Sequence, residues 1–212
     1  MPLAVCTLVF AACTDSGKAN SSGSDQTTTT SATAADGNGS TDSGSPEAAN
    51  LLSTALGTLG DTYHFVTTVR VGDVQVLTAE GDRVGAGARL ELTSDAGVVS
   101  YLITDDGAWA RPADGEWAEL DVAPATADPI AALGAPKSVS LGASSDGVQV
   151  LDAVVTNEAL GLTGGGTSTV SVTLVDGRLD QITYTTSENG QAASVTTILS
   201  AVRNGDAVVA PV

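Results

Sequence analysis

Several residues in this sequence are of a type that could do chemistry, but few are spaced to do it. His64 is the only histidine. It falls on the polar side of an alternating segment, and no serine or cysteine nucleophile stands in a recognisable motif with it, so it is expected to be solvated. Gly142-Ala143-Ser144-Ser145-Asp146-Gly147 is not the five-residue Gly-x-Ser-x-Gly elbow that presents a hydrolase serine. Gly164-Gly165-Gly166 lacks the Lys-Ser/Thr that completes a phosphate-binding loop, and reads as a flexible connection. Asp105-Asp106 and the group Asp114, Glu116, Glu119 and Asp121 offer carboxylates, but their spacing does not fit a twelve-residue calcium loop. Asp-Gly recurs at turn after turn here, so turn geometry accounts for these acids. The chain is expected to be no enzyme and to need no metal or cofactor.

Cys13 is different. Leu8-Val9-Phe10-Ala11-Ala12-Cys13 leads from apolar residues through two alanines to a cysteine. The stretch resembles the lipobox of bacterial lipoproteins, with Phe10 where leucine is commonest. In such proteins the small residues seat the signal peptidase's cut, and the cysteine carries a diacylglycerol and becomes the first mature residue. Residues 1–12 are then a signal peptide. Because Met1-Pro2-Leu3 supplies no positive start, the true start is expected upstream. The alternative is a short buried N-terminal strand.

The composition narrows the class further. A length of 212 residues, less a signal and a linker, suits one domain with a sizeable core. A net charge of −17 with only 8 basic residues argues against nucleic acid, which is bound by neutralising phosphates. It also disfavours adsorption to an anionic membrane, so membrane attachment must be through covalent lipid. Cys6 leaves with the signal and no cysteine follows Cys13, which rules out a disulfide or a thiolate metal site in the mature chain. Past the signal no apolar run approaches the ~18 residues of a transmembrane helix. Aromatic residues are only 3%, while valine, threonine, leucine and alanine abound, as in a β-rich domain with a small-residue interior.

Residues 13–45 hold the lipidated cysteine and a Ser/Thr/Gly tract that cannot bury enough apolar surface to order itself. It reads as a tether with an r.m.s. span of ~30 Å, or as a glycosylated stalk. The folded domain, 46–212, opens with a helix. Ser45 is its cap, Pro46 its first position, Leu52, Ala55, Leu56 and Leu59 its apolar face, and Gly60 its stop. Strands are predicted over 63–71, 88–94, 98–104, 108–111 and 116–121. Val98 to Thr104, apolar on both faces, is expected to be central. Gly72-Asp73 is read as a two-residue hairpin loop that pairs Val71 with Val74 and Val69 with Val76. Residues 124–142 interrupt the strands, with a short helix over Asp128 to Gly134. Strands resume over 148–155, 167–175, 179–186 and 192–202. A three-residue loop Asp176-Gly177-Arg178 would set Leu174 across from Asp180 and Val172 across from Ile182. A two-residue loop Asn189-Gly190 would set Tyr184 opposite Val195. Val170, Val172, Ile182, Tyr184, Val195 and Leu199 then share one dry face and Thr, Ser and Gln the other. The expected class is α+β: a curved antiparallel sheet, a half-barrel, with the N-terminal helix and the short middle helix on its concave face.

The lipobox at Cys13, the helix before Tyr63-His64-Phe65-Val66, the segment Asp106-Gly107-Ala108-Trp109-Ala110 and the turn Gly115-Glu116-Trp117 together resemble the mycobacterial lipid-binding lipoproteins of the LppX, LprA, LprF and LprG type. The resemblance covers most of residues 47–203. It implies a carrier anchored on the extracytoplasmic face of the cell membrane, holding an acylated lipid or glycolipid in an apolar hollow, with an envelope protein as a further partner. Candidate lining residues are Tyr63, Phe65, Val69, Leu90, Leu92, Leu102, Val172, Ile182 and Tyr184, with Trp109 and Trp117 edging the mouth. Plain core packing is the alternative for each of them. A tethered interaction or sensor module with a filled core is the alternative for the whole.

Overall fold

The fold is seen in a computed structural model that describes residues 44–121, 128–163, 165–188, 191–202 and 205–211. Cys13, the tract up to residue 43 and the Asn189-Gly190 turn lie outside the described residues, as does Gly164. Helix α1 (Pro46–Leu59) starts where its cap predicts: Ser45 Oγ accepts from the Ala48 amide at 3.3 Å, and Pro46 has no amide to leave unpaired. Gly60, at φ +67°, ends it in a conformation that favours glycine.

The rest is essentially one open sheet. Its strands are β1 (Thr62–Val71), β2 (Val74–Val84), β3 (Gly87–Ser94), β4 (Gly97–Thr104), β5 (Gly107–Pro112), β6 (Ala118–Leu120), β7 (Ser138–Ser145), β8 (Val148–Thr156), β9 (Thr167–Val175), β10 (Arg178–Glu188) and β11 (Gln191–Ser200). They run in the order β6-β5-β4-β3-β2-β1-β11-β10-β9-β8-β7, antiparallel throughout. Two meanders, β1 to β6 and β7 to β11, are therefore joined at the β1–β11 seam. Helix α2 (Pro129–Leu133) and a 3-10 turn (Glu158–Leu160) complete the described elements. The expected α+β class, with an unclosed antiparallel sheet and helices on one face, is the one observed.

Several registers differ from expectation, each for a local reason. Val71 pairs with Val74, but a bulge after Val69 sets Val69 opposite Leu77 and not Val76. The β9–β10 loop is two residues, with Asp176 at φ +51° and Gly177 at φ +77°, not three. A bulge between Leu179 and Gln181 then takes up the difference, so Val172 still meets Ile182. Tyr184 faces Val195 as read. Strand β4 is third from an edge, not central, and is half-buried on both faces. Strand β7 was missed, since Ser138 to Ser145 is too polar and glycine-broken to read as a strand.

The core lies under the helices. Ala48, Leu52 and Ala55 of α1 and Ala132 and Leu133 of α2 pack on Val139, Leu151, Val155, Val170, Val172 and Ile182. Asp128 caps α2 through Oδ1, which accepts from the Ile130 and Ala131 amides at 3.0 and 3.1 Å.

Candidate functional site

Residues directly across a strand pair share a face of the sheet, so the registers sort the candidate residues without ambiguity. Tyr63, Phe65 and Val69 of β1 stand opposite Arg83, Gly81 and Leu77 of β2, and Phe65 and Val69 opposite Leu199 and Val195 of β11. Through β10 and β9 the same face carries Tyr184, Ile182 and Val172. Through β2 it continues to Leu90 and Leu92, then to Tyr101 and Val99. This is the helix-bearing face, and its continuity across seven strands brings eight of the eleven candidates onto it.

Leu102 and Trp109 do not belong there. Leu102 pairs with Arg89 and with Trp109, which places both on the opposite face. Trp117 follows them: it sits under the Arg111 guanidinium, 4.7 Å from its ring centroid, and helps wall a hollow with His64 and Glu80. The tryptophans flank the Asp114-Gly115 turn as expected, but on the side away from the helices. One residue of phase separates the two faces of a strand, and β4 and β5 are apolar enough on both that the sequence gives no sign of which is which.

The helix-bearing face is filled at one end and uncovered at the other. Val172 and Ile182 are 0% exposed and Tyr184 5%. Helix α1 contacts β7 and β10, while α2 contacts β8 and the 3-10 turn. A cleft of about 200 Å³ remains between α1, α2 and β7, lined by Leu52, Leu56, Leu133 and Val139. That is smaller than the ~300 Å³ at which small-molecule sites begin. Over β2 to β4 the same face is largely apolar but only half-buried, at Leu77, Ala79, Leu92, Val99, Tyr101 and Ile103. Sequence reasoning missed Leu77, Ala79, Val99, Tyr101 and Ile103. The alternation of Leu77, Ala79 and Gly81 was the available signal, and no strand was assigned to all of Val74 to Val84.

Two phenols are held neutral on this face. Burial, reinforced by the Asp128 carboxylate and partly offset by Arg83, pushes Tyr63 up to about 12. Burial alone raises Tyr184. The Tyr63 and Phe65 rings meet edge to face with centroids 6.5 Å apart. An ion pair of 3.6 Å from Arg83 Nη1 to Asp128 Oδ2 ties β2 to the start of α2.

His64 is not solvated, contrary to expectation. It is 8% exposed, on the face away from the helices, with Nδ1 2.8 Å from Asp82 Oδ1 and Nε2 3.6 Å from Glu80 Oε1. Arg89 Nε donates to Asp82 Oδ2 at 3.0 Å. Burial opposes the charge on Asp82, but the hydrogen bonds from His64 and Arg89 outweigh it and hold the carboxyl below its ordinary range. His64, Asp82 and Arg89 thus form one hydrogen-bonded network on that face.

No protein-family model matches the chain, and no curated protein matches it. Among solved structures, the crystal structure of LprF from Mycobacterium bovis matches with a TM-score of 0.55 at 16% identity, over 80% of this chain and 98% of that one. The chain therefore has an LprF-like fold.

Proposed function

We propose that this chain is a lipid-anchored lipoprotein of the extracytoplasmic membrane face that binds and carries an acylated lipid or glycolipid, without enzymatic chemistry. The observation that carries the reading is the uneven roofing of one apolar face. Helices cover it over β7 to β10, and the apolar surface of Leu77, Leu92, Val99, Tyr101 and Ile103 runs on beyond them. Contiguous apolar surface left half-covered is the mark of a binding surface, and acyl chains laid on it regain ~0.8 kcal/mol for each CH₂ removed from water. Cys13 would supply the anchor and the tract after it the reach. Among the described residues no helix is long and apolar enough to cross a membrane.

The test is mass spectrometry of the full chain extracted from its own membranes. A diacylglyceryl-modified Cys13 and a stoichiometric co-purifying lipid are expected. A lipid-free protein that takes up no fluorescent acyl probe overturns the carrier reading.

A second reading, a tethered interaction module, draws on the solid packing beneath α1, where Leu151, Val172 and Ile182 are fully buried. It predicts a modified Cys13 with no lipid cargo, so the same measurement separates the two.

A further inference from the structure

We infer that Thr67, in the middle of the apolar face, recognises the polar linkage of the cargo by donating a hydrogen bond to the carbonyl oxygen of an ester-linked acyl chain. The inference rests on the lipid reading above and narrows it, because it makes the ligand an acyl ester and not a plain hydrocarbon.

One rank of side chains crosses the face from the roofed half to the uncovered half. It runs Ile182, Thr197, Thr67, Ala79, Leu92, Val99, each directly across from the next. The rank is apolar at both ends and polar only at the two threonines, whose Oγ1 atoms lie 2.9 Å apart. The two hydroxyls carry two protons, and the bond between them uses one. Among the described residues neither hydroxyl makes another hydrogen bond, so one proton is left over.

Burial decides which hydroxyl keeps it. Thr197 is 2% exposed, beside the fully buried Ile182. A spare proton on its oxygen would be sealed from water without an acceptor, which is costly. Thr67 is half-buried, and only the methyl group of Ala79 stands across from it on β2. Thr197 therefore donates to Thr67, and the Thr67 proton is free for a ligand at the border between the two halves.

Apolar sites fix the orientation of a ligand through a few placed polar groups. A hydrocarbon laid over Thr67, Leu92 and Val99 would bury the spare proton with nothing to accept it. An ester carbonyl at the same place accepts it, and the unpaired donor is what discriminates against the hydrocarbon.

The experiment follows displacement of dansyl-labelled undecanoic acid from the full chain by methyl palmitate and by octadecane, in the wild-type protein and in threonine variants. The double variant Thr67→Val with Thr197→Val replaces both partners by apolar groups of the same shape, strands no proton and should keep the fold. It should weaken methyl palmitate about two- to tenfold, the effect of one neutral hydrogen bond, while octadecane binds as tightly as before or more tightly. Thr67→Ser keeps the hydroxyl and should keep ester binding within about twofold. Thermal midpoints of the single variants test the direction of the bond. Thr67→Val strands the Thr197 proton and should lower the midpoint more than Thr197→Val, although Thr197 is the more buried. The inference alone is overturned if the wild type takes up the probe but the double variant weakens ester and alkane equally or neither. It is also overturned if Thr67→Ser loses the ester as the double variant does, or if Thr197→Val has the lower midpoint. A wild-type protein that takes up no probe overturns the lipid reading and this inference together.

Discussion

Asp82 shows what a single side chain contributes here. It accepts from His64 at 2.8 Å and from Arg89 at 3.0 Å, and its pKa is depressed although burial pushes the other way. A carboxyl with a depressed folded pKa adds stability that is fully present above its unfolded value and lost as pH falls through the folded one. Asp82→Asn should therefore cost about 1–3 kcal/mol at neutral pH, and the gap from the wild-type protein should close below about pH 4, as read by urea denaturation across that range. Tyr63 behaves in the opposite sense, since its folded pKa of about 12 lies above the ordinary 10.0. Below pH 10.0 the phenol is neutral in both states, and above it only the unfolded chain ionises, so stability is lost as pH climbs toward 12. Tyr63→Phe should unfold at a higher pH than the wild-type protein in an alkaline titration followed by circular dichroism. An unchanged alkaline midpoint would remove Tyr63 as the sensitive group. None of this was visible in the sequence. Alternation placed His64 on a polar face, but its burial comes from Asp82 and Glu80, which reach it through a β2 register that a bulge resets.

At the scale of elements, local chemistry was legible and its exceptions were not. The cap at Ser45, the proline at Pro46 and the stop at Gly60 set α1 without help from the rest of the fold, and Asp128 with Pro129 did the same for α2. Hairpins with Asp-Gly turns were found for the same reason. The bulges after Val69 and at Asp180 each shift the register by one residue for the rest of the strand pair, a shift that pairing along a regular hairpin does not anticipate. Gly81 marks a third feature of this kind. A Cβ built there would lie 2.3 Å from the Arg89 carbonyl oxygen and 2.7 Å from Leu90 Cβ, so β2 and β3 approach more closely than any side chain allows. Gly81→Ala should push the strands apart and lower the thermal midpoint, by about 1–3 kcal/mol of overpacking. It should also raise hydrogen exchange at the β2–β3 amides beyond that at β9–β10. Uniform exchange across both meanders would mean that the strand pair absorbs the methyl group.

For the molecule as a whole, the sequence disclosed a one-sided sheet with helices but not which half they cover. Both meanders carry one apolar face, joined through the β1–β11 pairing of distant parts of the chain, and α1 and α2 settle on the β7 to β10 half of it. The consequence is a division of labour along one continuous surface. Under the helices Leu52 and Val172 are 2% and 0% exposed, and their interest is in stability. Leu52→Ala should cost about 2–5 kcal/mol by leaving a cavity, without touching the half-buried face over β2 to β4. Over β3 and β4, Leu92 and Val99 stand directly across from one another and are only half-buried. Leu92→Asp places a charge in the middle of the surface proposed to bind acyl chains, where it would have to be desolvated on binding. Uptake of a fluorescent fatty acyl probe should fall steeply in Leu92→Asp while the thermal midpoint moves less than in Leu52→Ala. The reverse pattern, with uptake lost in Leu52→Ala and kept in Leu92→Asp, would move the cargo to the cleft between α1 and α2. Loss in neither would leave the uncovered face without a lipid to carry.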